Sequence, residues 1–367
     1  MSINKNYMKI FRVFTWIILI GVPFCGYSQC TIRGKVNDMD GMWVYLSFGG
    51  TLSDSVQISG GEFLFKTGEL DGPRYALFAT KAYGLGQYWI ANGDDIILTD
   101  EEGQVRVSGA KVEEEYQLYR KHMTGIWQRQ SKMLKQADAA ADVGRMDEYN
   151  RLRQEYGKLE LEEDKVFIEF AKRYPASYIC LNHIYNCRVM DKYEFPRYSA
   201  MFSYLTPGAF HGHQWETFRD IYKKDEALQS GEIFPDFTLA DVFDAPMKLS
   251  QLRGKYVLLT VGSGGLDDYM ALLPLKKDLY DRFSERNLEI VDILIAKEKN
   301  DLLKVTANND VRWLLLSDYK SWFSPYLRTW GIDKICQLFL LDPQGKIVAR
   351  NVWGDELKRL VESECQK

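Results

Sequence analysis

The sequence predicts an α+β protein of several domains: an N-terminal β-sandwich, a central α-helical hairpin and layer, and a C-terminal α/β domain. Three changes of hydrophobic period predict it. Apolar residues alternate at period two in short runs from Thr31 to Ser108, follow a helical period from Val112 to about Lys224, and from Ile233 onward alternate between apolar strand runs and amphipathic helices. The 367 residues are 46% hydrophobic, 27% charged and 14% aromatic, which suffices for separate cores and lacks the bias of disordered chains.

At the N-terminus, Lys5, Lys9 and Arg12 precede the apolar run Val13–Phe24. This run is too short to span a bilayer and suits the core of a secretory signal. Gly26 and Ser28 fit the small residues before a cleavage site, so residues 1–28 read as a signal peptide. The mature protein is then exported, to the periplasm or an outer-membrane-associated cell envelope. Two alternatives stand beside this: acylation of Cys30 or Cys25 as a lipid anchor, for which Gln29 and Phe24 are poor preceding residues, and an uncleaved anchor helix.

Residues 30–111 form the predicted β-sandwich. Eight runs, Thr31–Val36, Trp43–Phe48, Ser53–Ile58, Glu62–Thr67, Tyr75–Ala79, Gln87–Ala91, Asp95–Thr99 and Gln104–Ser108, are separated by turn residues. Asp40-Gly41, Gly60-Gly61, Asn92-Gly93 and Glu102-Gly103 supply positions that tolerate positive φ. Phe63, Phe65 and Trp89 are expected in its core.

Residues 112–228 form the predicted helical region. Met146, Tyr149, Leu152, Tyr156, Leu159, Val166 and Phe170 fall on one stripe of the second helix. With the preceding helix, Glu113 to about Ala140, they make an antiparallel hairpin about 40 Å long at 1.5 Å per residue. Pro175 ends it. Shorter helices follow around Ser177–Val189, Pro196–Leu205 and Gln214–Tyr222.

Residues 229–367 form the predicted α/β domain. Strand runs Tyr256–Val261 and Glu289–Ile295 alternate with helices Tyr269–Phe283 and Asp301–Asn308. A hairpin of Phe339–Leu341 and Ile347–Asn351 turns through Asp342-Pro343-Gln344-Gly345, and the helix Asp355–Glu364 closes the chain. A crossover unit followed by a hairpin and helix gives one mixed sheet between helices. With Lys+Arg 47 against Asp+Glu 51 and a net charge of −4, there is no basic excess to neutralise phosphates, and a nucleic-acid partner is excluded.

Specific residues sharpen the last domain. Phe234-Pro235-Asp236-Phe237, then Met247-Lys248-Leu249-Ser250-Gln251-Leu252-Arg253-Gly254-Lys255, Pro274, and Asp342-Pro343-Gln344-Gly345-Lys346-Ile347-Val348 occur in register. This pattern resembles thioredoxin-like domains of the AhpC/TSA and cytochrome-maturation kind. Asp54-Ser55-Val56 followed by Gly61-Glu62-Phe63-Leu64-Phe65 is similar to the small β-domain of unknown function that precedes such domains in exported proteins of Bacteroidota. The resemblance implies a thioredoxin fold and, in its usual form, a W-C-x-x-C redox pair at the start of the first long helix. Counting back from Pro274 puts Gly265-Leu266-Asp267-Asp268-Tyr269 on those five positions, so Leu266 and Tyr269 stand where the cysteines would be. The preceding Gly262-Ser263-Gly264-Gly265 reads as a loop, and Asp267 and Asp268 as helix-start residues that oppose an anion there.

The resemblance also implies a cis-proline where this chain has Cys336. A non-prolyl cis bond costs about 2.5–4 kcal/mol, so a trans peptide and a reshaped loop are expected. Cys336 is read as a small buried cysteine, the alternative being a lone reactive thiol.

Of six cysteines, Cys25 leaves with the signal, and Cys30, Cys180, Cys187, Cys336 and Cys365 remain. Cys180 and Cys187 in one helix are about 10.5 Å apart by rise, beyond the reach of a disulfide unless the helix breaks near Asn186. Cys180, His183 and Cys187 share a helical face and are weak metal-ligand candidates, with core packing favoured. His211-Gly212-His213 is a second weak pattern, and neither these histidines nor His122 sits in a recognisable nucleophile motif. No cofactor is implied. The sequence therefore reads as a binding or scaffold protein for an unidentified protein or peptide partner in the envelope. The alternatives are a thiol–disulfide oxidoreductase using Cys336 alone, and metal carriage by the Cys180 set.

Overall fold

The computed structural model describes residues 29–101, 104–190, 192–265 and 267–366. The expected signal peptide with Cys25, the Glu102-Gly103 turn and Leu266 lie outside the described residues. The chain forms two compact units that divide between Tyr116 and Gln117.

In the first unit, eight strands run β1 (Thr31–Lys35), β2 (Trp43–Phe48), β3 (Thr51–Gln57), β4 (Glu62–Lys66), β5 (Arg74–Ala79), β6 (Gly84–Ile90), β7 (Asp95–Glu101) and β8 (Gln104–Ser108). They form two four-stranded sheets, ordered β4-β1-β7-β8 and β3-β2-β5-β6. Alternation places Ile32, Phe63, Phe65, Phe78 and Leu98 in one shared core, and Trp89 is buried as well. Gly34 pairs with Phe63 across β1 and β4, and a Cβ on Gly34 would stand 1.9 Å from the Phe63 ring. Only glycine lets that ring lie flat on the neighbouring strand.

Helices α1 (Lys111–Asp142) and α2 (Met146–Arg173) form the hairpin. Tyr119 meets Phe170 at 4.9 Å between ring centroids, while Trp127 and Gln130 reach Glu163, which fixes the antiparallel sense. The buried stripe of α2 differs from the expected one: it passes through Glu163 and Phe167 instead of Val166, and Met146 is exposed. A glutamate is tolerated there because three donors converge on it, from Trp127, Gln130 and Lys192. Helices α3 (Tyr178–Val189), α4 (Phe195–Phe202) and α5 (Gly212–Glu226) form the layer that follows, and the Ser177 hydroxyl accepts from Cys180 N to cap α3.

The C-terminal part holds strands β9 (Thr238–Asp241), β10 (Pro246–Lys248), β11 (Tyr256–Gly262), β12 (Leu288–Leu294), β13 (Leu314–Ser317), β14 (Gln337–Leu341) and β15 (Ile347–Arg350). They lie in one sheet ordered β10-β9-β13-β12-β11-β14-β15, with β11, β12 and β13 parallel and β14 and β15 antiparallel. Helices α6 (Asp267–Phe283), α7 (Lys299–Asn309), α8 (Pro325–Trp330) and α9 (Gly354–Cys365) complete it. Leu258 of β11 belongs to a core with Leu272, Leu279 and Val361, while its neighbours Val257 and Leu259 belong to another with Phe234 and Trp330. The sheet is thus buried on both faces. Strands β9, β10 and β13 and helix α8 were not anticipated, because runs of three to six residues carry too few periods to register.

Candidate functional site

Strand β11 carries the chain through Gly262 into the Gly-rich loop, and α6 begins at Asp267 with Asp268 also in its first turn. Leu266, on the first expected cysteine position, lies outside the described residues. Tyr269, on the second, is completely buried. Its hydroxyl donates to Asp292 Oδ2 at 2.8 Å. Asp292 comes from β12, directly beside Thr260 in register, and takes two more donors: Lys276 Nζ at 2.6 Å and Trp313 Nε1 at 2.7 Å. Lys276 and Asp292 are both fully buried, and Lys276 Nζ also lies 4.9 Å from the Tyr269 ring centroid. Burial and the adjacent carboxylate push the Tyr269 hydroxyl well above its usual range, so it stays protonated as a donor. The carboxylate takes three donors and the ammonium has its counter-ion beside it.

Cys336 stands against this network from the opposite strand. A Cβ on Gly262 would lie 3.2 Å from both the Cys336 Sγ and Tyr269 Cδ2, so thiol and ring meet over a glycine backbone. One expectation is overturned here: the Ile335–Cys336 peptide is cis, not trans. The trans preference belongs to the isolated chain, whereas this loop is fixed from both sides. Lys334 Nζ donates to Arg188 O at 3.1 Å, and Gln337 enters β14. Burial pushes the Cys336 thiol up to about 11. At neutral pH the thiol is therefore held protonated, which makes it a poor nucleophile.

On its other side Cys336 borders a polar cavity of about 210 Å³ between the α3–α5 layer and the sheet. Arg188 of α3 is its fixed wall, held by both oxygens of buried Asp225 and by Asp333, at 3.2 Å for each of its two outer contacts. Those carboxylates outweigh burial and keep the guanidinium above its ordinary pKa.

The metal candidates are brought together without forming a metal site. His183 Nε2 lies 3.5 Å from Cys187 Sγ, and its ring stacks on Phe167 at 5.1 Å. Burial pulls His183 down to about 4 and pushes Cys187 up to about 12. Among the described residues no group of three or more metal-ligating side chains has the geometry to hold an ion. Helix α3 runs unbroken through Asn186, and among the described residues Cys30, Cys180, Cys187, Cys336 and Cys365 are buried and form no disulfide. His211 precedes α5 and its ring lies 3.1 Å from the Tyr178 hydroxyl.

The residues that sequence reasoning missed are Lys276, Asp292, Arg188 and Arg350. Asp292 carried a signal, since it interrupts the apolar run Ile290-Val291-Asp292-Ile293-Leu294. A charge inside a buried strand requires a partner.

The profile of the thioredoxin-like family matches residues 254–347. The thiol-disulfide oxidoreductase ResA of Bacillus cereus is 22% identical over 151 residues, covering 41% of this chain and 84% of that protein. A Porphyra purpurea protein classed with the peroxiredoxins is 31% identical over 151 residues, covering 37% of this chain and 74% of that protein. Among solved structures, the thioredoxin domain of a Bacteroides vulgatus thiol-disulfide oxidoreductase is 26% identical with a TM-score of 0.35, covering 37% of this chain and 97% of that one. A Bacteroides thiol:disulfide interchange protein is 25% identical with a TM-score of 0.36, covering 38% and 93%.

Proposed function

We propose that this chain, which carries a thioredoxin-like domain over residues 254–347, is an exported protein that binds a partner and does not exchange disulfides. The observation that carries this reading is the seat of Tyr269. A tyrosine cannot resolve a mixed disulfide, and this one is tied to Asp292 in a closed set of hydrogen bonds. The lone neighbouring thiol, Cys336, is buried and held protonated, which weighs against the single-cysteine oxidoreductase reading. A fold whose chemistry has gone keeps its sheet, loops and cavities for recognition.

Export is supported by the basic and apolar pattern of residues 1–28. Among the described residues no helix is long and apolar enough to cross a membrane. Cys30 is completely buried, with its N–H donating to Thr67 Oγ1 at 3.3 Å. This favours cleavage before Gln29 over an acylated Cys30, whose lipid would need an exposed sulfur.

The test is reduction of insulin disulfides in the presence of dithiothreitol, with Cys336→Ser as the comparison. The reading expects no acceleration by either protein. Acceleration by the parent that Cys336→Ser abolishes would replace it with the single-cysteine mechanism.

A further inference from the structure

The cavity beside Cys336 is lined by three cations, Arg188, Lys334 and Arg350, and three acids, Asp225, Asp333 and Glu194, and its inner wall pairs them unevenly. Two guanidinium groups, Arg188 and Arg350, face one buried carboxylate, Asp225. Asp225 is already committed: Arg188 binds both its oxygens, and the Tyr198 hydroxyl donates to Oδ2 at 2.6 Å. Arg350 lies 3.9 Å from it, beyond hydrogen-bond range. The other two acids on the cavity, Asp333 and Glu194, are exposed at its rim, and Asp333 is engaged by Arg188.

Arg350 is only 16% exposed and rests on the Phe339 ring at 5.6 Å. Its Nε and Nη2 both donate to the Gln337 side-chain oxygen, at 3.3 and 3.1 Å, and Asn351 Nδ2 donates to the same atom at 3.0 Å. That orientation leaves Arg350 Nη1 and Gln337 Nε2 without a hydrogen bond among the described residues. Two donors are thus left for the cavity, one of them on a desolvated cation. Burial pulls the Arg350 guanidinium below its ordinary pKa against the opposing pull of Asp225 and Glu194. Around the mouth stand apolar surfaces, half-buried Phe195 and Trp353, the latter 39% exposed.

We infer that this cavity binds a carboxylate attached to an apolar body, the carboxylate taking the free Arg350 and Gln337 donors and the body resting on Phe195 and Trp353. The inference rests on the binding reading above and names the chemistry of what is bound. A guanidinium edge and an amide N–H₂ match the acceptor pattern of a carboxylate. Two sources carry that group, a small organic acid and the C-terminus of a peptide.

The full chain is titrated with N-acetylphenylalanine and N-acetylleucine, with their amides, and with a tetrapeptide ending in phenylalanine as free acid or amide. Saturable binding of the acids, at least tenfold tighter than of the amides, is expected. Binding of the single residues identifies a small-acid site, and binding of the tetrapeptide acid alone identifies a chain terminus. Arg350→Met weakens binding at least tenfold. Gln337→Glu is isosteric and does the same by giving Arg350 a resident carboxylate, so the test survives if the first variant folds poorly. Equal binding of acids and amides, no saturable binding by any acid, or full affinity in both variants would overturn the inference. Insulin reduction would instead overturn the binding reading, and the two failures are separate.

Discussion

The two sides of Cys336 make opposite use of buried charge. Towards Gly262 the charges close on themselves: Asp292 takes three donors, and its lysine is completely buried against it. Towards β15 they stay open: Arg350 shares one amide oxygen with a neighbour and has no carboxylate within hydrogen-bond range. A saturated network contributes to stability and specificity of folding, and an unsaturated one is available to a ligand. The difference teaches that one side of Cys336 is closed core while the other side keeps polar donors facing a cavity.

The contrast breaks most visibly at Asp292. Asp292→Asn leaves the Lys276 ammonium buried without its counter-ion and should cost about 3–5 kcal/mol, read as a fall in the urea midpoint at unchanged slope. Arg350→Met should do the reverse. It removes a buried cation whose carboxylate contact is only a loose 3.9 Å pair with Asp225, so stability changes by less than about 1 kcal/mol or rises, while affinity for the carboxylate falls about 10- to 100-fold, the worth of hydrogen bonds to a charged group. Similar losses of stability in both variants would erase the distinction between the two sides.

Gly262→Ala probes the partition between them. The new methyl must fit where Cys336 Sγ and the Tyr269 ring already stand 3.2 Å away, and overpacking of this kind costs about 1–3 kcal/mol. Thermal unfolding reads it, and Gly262→Ala with Cys336→Ala should recover part of the loss. A smaller effect comes from pH. The Cys336 thiol is raised from about 9 to about 11 on folding, so between these values the folded state holds a proton that the unfolded state has released. Stability contributed by the protonated thiol is present below pH 9 and is lost as pH rises towards 11, by about 1 kcal/mol at pH 10. Cys336→Ala should flatten that part of the profile, whereas an unchanged profile would mean the thiol is not desolvated.

Much of the fold was legible because period and turn chemistry agree in long stretches. The eight N-terminal runs, the helical hairpin and the βα pattern around Pro274 all carry enough residues to show their period. The short strand β13 and helix α8 do not. The site was legible in part. Tyr269, which the resemblance set on a dithiol position, lies buried in the network around Asp292, and the burial of Cys336 followed from its residue type. What a sequence does not display is convergence. Arg188 and Arg350 are far apart in the chain and meet only because the α3–α5 layer packs beside β15, and Glu163 joined a buried stripe because donors from α1 and Lys192 reach it. The cis peptide at Cys336 was misjudged for the same reason: a local preference was applied where tertiary contacts decide.

The most direct test of the account is the alkylation rate of each cysteine in the native protein between pH 5 and 9, read peptide by peptide by mass spectrometry. The account predicts that Cys336 reacts only at the rate of unfolding, together with the buried Cys187 and Cys365, and shows no titration in that range. A Cys336 that reacts quickly in the folded protein, with an apparent pKa well below the unperturbed value of about 8.5, would be a working thiolate and would contradict it.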